Sequence, residues 1–325
     1  MALSLAGRRS SDGVSTLLPR LIHAALTLLG VMALVFVLFH AFGGDPAEIL
    51  GGLNARPEQI ASIREQLGLD RPLWVQFGRY LGQIVSLDFG RSWATQEPVA
   101  QILASRLPAT LTVMGPILLL EVLLAIPLAL AVAVLRGSLT DRLLMGLTTV
   151  AMSISFLVYV IVGQWLFAFE LGWFPVQGWS TQAWRNLIQY APLPIGLAVL
   201  VGLAPLVRLY RSFFLEEIGR DHVRTARAKG LATSRILLRH VLPNAWIPIL
   251  AQLGAQLPGV FVGSFLIESF FSIPGLGREI LLAVNRSDYP VIQAVTILLA
   301  LVTLIVNAST DALYRRADPR VGAAA

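Results

Sequence analysis

Six stretches of this chain, each at least twenty residues long, run almost without charge: Pro19–Phe42, Ala109–Leu135, Leu143–Phe169, Ile188–Val207, Ala245–Phe271 and Pro290–Leu313. That pattern constrains the fold more than any other feature. A helix needs about 20 apolar residues to cross about 30 Å of hydrocarbon, where every backbone amide has to be paired within the segment. The stretches therefore predict six membrane-spanning helices. Prolines interrupt several of them: Pro116 and Pro127, then Pro192, Pro194 and Pro205, then Pro248 and Pro258. Such breaks are tolerated where neighbouring helices satisfy the freed carbonyls, which points to a packed bundle. Composition agrees, with 56% hydrophobic and 14% charged residues, against about 45–50% and about 25% in soluble domains.

The same composition closes off other chemistries. There is no cysteine, which removes disulfides, thiolate clusters and zinc fingers together, and the four histidines His23, His40, His222 and His240 are scattered. No metal site is expected. The formal net charge of +6 does not indicate nucleic acid, because the basic residues flank the apolar runs. No Gly-x-x-x-x-Gly-Lys-Ser/Thr loop is present to cradle a nucleotide, and Ser264, Ser269 and Ser272 lack a nearby histidine or a Gly-x-Ser-x-Gly turn. No catalytic or cofactor-binding residue is assigned. The first apolar run, Leu21 to Phe42, is longer than a signal-peptide core and reads as a retained span.

Basic residues orient the chain. With the N-terminus, the second and fourth loops and the C-terminus on the cytoplasmic side, that side holds 16 of the 25 Lys and Arg residues. Six of the remaining nine lie in the long first outer loop, where charge weighs little in the positive-inside rule. The resulting division is a cytoplasmic tail 1–18, a first span 19–42, an extracytoplasmic helical insertion 43–108, a five-helix core 109–313 and a cytoplasmic tail 314–325. Within the insertion, three-and-four spacing predicts helices near Pro57 to Leu67 and Pro72 to Val85.

The fourth loop, 208–243, stands apart. It is too charged to span, yet Phe214, Ile218, Val223, Ala226, Leu231, Ile236, Leu237 and Val241 recur helically, and Gly230 interrupts the run. A helix, a glycine turn and a second helix entering the membrane follow from that pattern. On charge alone, the segment also fits an amphipathic piece held at anionic headgroups.

The order of residues adds a resemblance. Arg224-Thr225-Ala226, three residues, Gly230, nine residues, then His240-Val241-Leu242-Pro243 resembles the signature loop of ABC importer permeases. In that family the pattern reads Glu-Ala-Ala, three residues, Gly, nine residues, Ile-x-Leu-Pro, so Arg224, Thr225 and His240 depart from it while Ala226, Gly230, Leu242 and Pro243 match. The string from Val223 to Leu231 is similar to the form used by the dipeptide and oligopeptide branch. So are Gly68-Leu69-Asp70-Arg71-Pro72-Leu73, Asp88-Phe89-Gly90-Arg91-Ser92, the run from Glu268 to Gly277, and Asp288-Tyr289-Pro290, which resemble landmarks of its B-type subunit.

The resemblance implies an all-α, six-helix type I ABC importer permease with a small helical extracytoplasmic domain between spans 1 and 2, located in the bacterial inner membrane. It implies short peptides as cargo, with nickel chelates, glutathione or a peptide-like antibiotic as alternatives. The implied partners are a homologous second permease, two cytoplasmic ATPase subunits, an extracytoplasmic solute-binding protein and the lipid bilayer. ATP and Mg would be used by the ATPase chains, not by this one. The loop residues Arg224, Thr225, Ala226, Arg227, Ala228, Lys229, Gly230, Leu242 and Pro243 would couple to the ATPase, with Ala226, Ala228 and Gly230 as a close-packed small face.

Two rival classes remain: a stand-alone secondary transporter, for which inverted repeats would be expected, and a membrane-embedded lipid-modifying enzyme, which would need paired intramembrane Asp or His. Three acidic residues lie in or near the spans. Glu121 and Glu268 are candidate pathway-lining groups or hydrogen-bonded packing groups, and Glu170 reads as an interface residue. Trp165, Trp173, Trp179 and Trp184 around the second outer loop fit an aromatic belt.

Overall fold

The computed structural model describes residues 11–42, 44–52 and 55–317, with side chains described for 22–41, 44–52 and 55–310. The two expected tails fall mostly outside them. In chain order the helices are α1 Ser11–Phe42, α2 Pro46–Gly51, α3 Pro57–Leu67, α4 Leu73–Val85, α5 Val99–Val134, α6 Leu139–Ser153 and α7 Phe156–Gly163. There follow α8 Ala183–Arg185, α9 Pro192–Ile218, α10 Asp221–Ala228, α11 Thr233–Ile236, α12 Leu242–Val262, α13 Phe265–Phe270, α14 Leu276–Asn285 and α15 Tyr289–Ala317. Among the described residues no strand forms, and the one isolated bridge joins Arg91 to Pro98. The fold is all-α.

Among the described residues, five helical segments are long and apolar enough to cross a membrane: Ile22–Ala41, Val99–Val134, Pro192–Ile218, Thr233–Phe270 and Tyr289–Thr310. A sixth crossing exists only if α6 and the helix from Phe156 to Glu170 count together, and those two halves meet at 88°. The expected third span, Leu143–Phe169, is therefore broken. Ile154 takes an extended conformation between Ser153 and Ser155. Ser153 bonds back to the Thr149 carbonyl at 2.8 Å, a habit of helix-interior serines that bends helices. The Tyr159 hydroxyl donates to the Ala151 carbonyl across the corner at 3.0 Å.

The chain forms two compact units. The first holds the chain up to Leu103 and takes back Leu282–Leu304; the second holds Ala104–Leu281 and resumes at Ile305. In the first unit, Met32, Ile84 and Ile297 are buried together, with Leu28, Tyr80, Leu81, Phe89 and Leu301 packed on them. Phe36 stacks edgewise on Phe77 at 5.2 Å, and Phe39 on Tyr289 at 4.8 Å. The helices of the insertion start and stop on local chemistry. Asp45 caps α2 through the Ala47 amide at 2.9 Å and pairs with Arg64 of α3. Burial works to raise the Asp45 carboxyl, but those two partners hold it below its ordinary value. Pro57 opens α3, and Gly68 in the left-handed region closes it, with Leu69 bonded back to Arg64 and Gly68 to Glu65.

The second unit has two apolar clusters. One gathers Val113, Ile117, Val160, Leu197, Ile267, Phe271 and Ile273 among others. The other gathers Ala125, Ala129, Leu206, Tyr210, Phe214, Val223, Ala226, Ile236, Val241 and Ile249. Its members explain why α9 runs on to Ile218, past the expected edge at Val207. Tyr210 and Phe214 are fully buried, so the helix stays packed through the turns after Arg208.

Candidate functional site: the loop after α9 and a buried carboxylate latch

The loop after α9 is a short, braced helix. Glu217, at the end of α9 and 5% exposed, forms an ion pair with Arg220, Nε to Oε1 at 2.9 Å, and faces His222 at 3.7 Å. This buried carboxylate fixes the turn into α10. Within α10, Val223 and Ala226 stand three residues apart and face the bundle core. Arg224, Thr225, Arg227, Ala228, Lys229 and Gly230 are all exposed. The expected small face is thus divided. Ala226 packs inward at 5% exposure, so only Ala228 and Gly230 remain available to a partner. The reason is helical periodicity, which sets Ala226 beside Val223 and opposite Ala228.

Gly230 has φ +76 and completes a glycine cap: its amide bonds to the Arg227 carbonyl at 2.9 Å and that of Leu231 to Ala226 at 3.3 Å. A Cβ at this position meets nothing within 4 Å. Gly230→Ala is therefore expected to cost only about 1 kcal/mol, from backbone strain alone. A larger fall in the thermal midpoint of the purified chain would contradict this reading.

The chain returns to the bundle through α11 and a wide-turn segment Leu237–Val241 that leads into α12. Pro243 sits at the start of α12 and supplies no amide. The Asn244 side chain donates to the His240 carbonyl at 2.7 Å. Leu242 is half-buried and Pro243 is exposed.

Glu268 occupies a different kind of site. It is fully buried, and both carboxylate oxygens are engaged: Thr110 Oγ1 donates to Oε1 at 2.9 Å, and the Arg278 amide donates to Oε2 at 2.9 Å. The Gly277 amide also donates to the carboxylate, and Thr110 Oγ1 accepts from the Leu276 amide at 2.8 Å. Three glycines leave room for it. A Cβ on Gly263 would lie 2.2 Å from Oε1, one on Gly275 2.4 Å from the carboxyl carbon, and one on Gly277 2.8 Å from the Phe265 backbone nitrogen. Glu268 is a latch that holds the chain from Gly263 to Arg278 onto α5, with no exposed surface to offer a pathway.

Comparison with known proteins decides what this architecture belongs to. Residues 125–323 match the family described as binding-protein-dependent transport system inner membrane component, and residues 14–114 match its N-terminal component. The chain belongs to that family. It is an ABC importer permease subunit of type I fold. The glutathione transport system permease protein GsiC of Salmonella paratyphi A is 38% identical over 306 residues, covering 94% of this chain and 97% of that protein. GsiC of Escherichia coli K12 is 36% identical over 303 residues, covering 93% and 97%. A chain of the MetNI methionine ABC transporter, in an inward-facing structure, shares the fold with a TM-score of 0.55 at 18% identity, covering 68% of this chain and 99% of that one.

Several groups in the permease were beyond the reach of sequence reasoning. Thr110 carries no motif, yet it joins α5 to the Glu268 latch. Asp141 pairs with Arg211 at 2.9 Å and accepts from the Gly137 amide at 2.9 Å, closing the turn before α6. Two motifs that looked separate meet: Asp288 accepts from the Ser92 hydroxyl and from the Trp93 amide at 3.0 Å. Trp165, Trp173 and Trp184 are exposed, whereas Trp179 packs on the apolar core. Glu121 lines a cleft within the helices of the second unit.

Proposed function

We propose that this permease forms half of a pathway that imports short peptides, glutathione among them, and that α10 is the element its ATPase grips. The carrying observation is the construction of α10. Val223 and Ala226 anchor it to the bundle, Glu217 and Gly230 brace its two ends, and Arg224, Arg227 and Lys229 stand exposed on its outer side. A helix fixed at its base and bare on its outer face transmits movement from a partner groove into α9 and α12. The basic residues match a groove with acidic groups.

The full assembly under this reading is two permease chains, two cytoplasmic ATPase subunits that use ATP and Mg, and an extracytoplasmic solute-binding protein. The bacterial inner membrane holds it, with both termini of this chain in the cytoplasm and residues 43–108 outside. The glutathione-system relatives favour tripeptide-sized cargo.

The test is co-purification with the ATPase subunits, followed by ATP-dependent uptake in proteoliposomes holding the complete transporter. Arg224→Glu with Arg227→Glu is expected to weaken ATPase recovery at least about tenfold, since reversing two interface charges sets like against like. Gly230→Trp is expected to abolish recovery, while the double reversal keeps the parent's thermal midpoint and Gly230→Trp lowers it by no more than the strain expected for Gly230→Ala, about 1 kcal/mol. Undiminished ATPase recovery with the double reversal would remove α10 as the docking element. Uptake by the purified chain alone would place it among secondary transporters.

A further inference from the structure

A cleft of about 470 Å³ lies among α5, α7, α9, α12 and α13. Its walls are mostly apolar, with Phe156, Ile117 and Val260 among them; Gln256 and Ser264 are polar, and Glu121 is the one charged residue in its lining. Glu121 sits within the apolar span of α5. Gly202 of α9 makes space for it, since a Cβ there would lie 1.8 Å from Oε1. Among the described residues the Glu121 carboxylate makes no hydrogen bond or ion pair; its electrostatic neighbour is the Tyr210 hydroxyl, which is buried and also without a hydrogen bond. Across the same cleft, the Gln256 Oε1 is buried and also lacks a hydrogen-bond partner.

Two unpartnered oxygen acceptors in one apolar cleft within a membrane span are costly to leave unmet, and ionisable groups at such depth normally face a partner or a water-filled path. The missing complement is a group that donates hydrogen bonds, accepts none and carries positive charge. An ammonium has that character: three donors, no acceptor and a full charge. The geometry points to this cleft as a waypoint for the free α-ammonium of an amino-acid-derived cargo, with Glu121 as counter-ion and the Gln256 carbonyl as second acceptor. The inference rests on the peptide-import reading above and deepens it. It assigns selectivity to this chain as well as to the solute-binding protein.

The experiment uses the complete transporter in proteoliposomes with radiolabelled glutathione and alanyl-alanine, each of which has one free α-ammonium. Glu121→Gln keeps the shape of the side chain and removes the charge. The expected result is a fall in uptake of at least about tenfold, the scale of one charge-assisted hydrogen bond. ATP hydrolysis stimulated by the loaded binding protein, and recovery of the second permease, stay within about twofold of the parent. Uptake equal to the parent overturns the waypoint. So does a parallel fall in uptake and hydrolysis, which makes Glu121 a packing group, and so does loss of the second permease, which makes it an inter-subunit contact. If the unaltered complex hydrolyses ATP but imports neither probe, the peptide-import reading itself has failed.

Discussion

Glu268→Ala is expected to cost about 3–5 kcal/mol and to leave little folded permease at the growth temperature. The substitution strips the Gly277 and Arg278 amides and the Thr110 hydroxyl of their shared acceptor, in a site with no exposed surface to admit water. Orphaned donors cost about 1–3 kcal/mol each, and the emptied volume adds to that. Relaxation offers little relief, because Gly263, Gly275 and Gly277 carry no side chain to fill the gap. Glu268→Gln keeps one acceptor for the amides and turns its NH2 toward Thr110, whose oxygen already accepts from the Leu276 amide. Its expected cost is about half that of alanine. Thermal unfolding in detergent, with the yield of monodisperse protein, reads both variants. An alanine variant as stable as the parent would show that the latch does not hold the chain from Gly263 to Arg278 in place.

Asp288→Ala is the second large effect, expected at about 2–3 kcal/mol and confined to the first unit. Asp288 is 3% exposed and accepts from the Ser92 hydroxyl, from the Trp93 amide at 3.0 Å and from the Ala94 amide at 3.4 Å. It therefore caps the turn that follows the Asp88-Phe89-Gly90-Arg91 run. Ala94 is exposed, so water replaces part of the loss, whereas Ser92 is fully buried and its hydroxyl, which still accepts from the Thr95 amide, is left with no acceptor for its proton. Asp288→Asn, which keeps one acceptor oxygen, is expected to lose less than half as much. Hydrogen exchange is the suitable measurement. Faster exchange in residues 92–95 with an unchanged α10 is the expected pattern, and unaltered protection there would refute the capping role.

Length and hydropathy picked out stretches that contain the long apolar helices, because a bilayer imposes one requirement that a run of apolar residues either meets or fails. The break in the third crossing was not legible. One extended residue at Ile154 turns the helix by 88° without changing the hydropathy of the stretch. The helix ends in the insertion were partly legible: Pro57 and Gly68 carry backbone constraints of their own, while the short helix α2 depends on the Asp45 contact with Arg64.

The loop after α9 was readable as helix, glycine turn and helix, since Gly230 and the spacing of apolar residues are local signals. Which alanine faces outward followed from that spacing, which groups Ala226 with Val223, and not from the loop motif, which gives an order of residues and no direction toward the core. Glu121 and Glu268 looked alike in sequence, each a single carboxylate in an apolar run. Packing separated them. Glu268 meets Thr110, 158 positions away, and two backbone amides of its own following loop, whereas Glu121 meets a cleft. Sequence alone determined which stretches are long and apolar enough to cross a membrane, since that property belongs to contiguous residues. Only the tertiary structure decided which buried charges are satisfied, because a hydrogen-bond partner is set by which distant segments come to lie together.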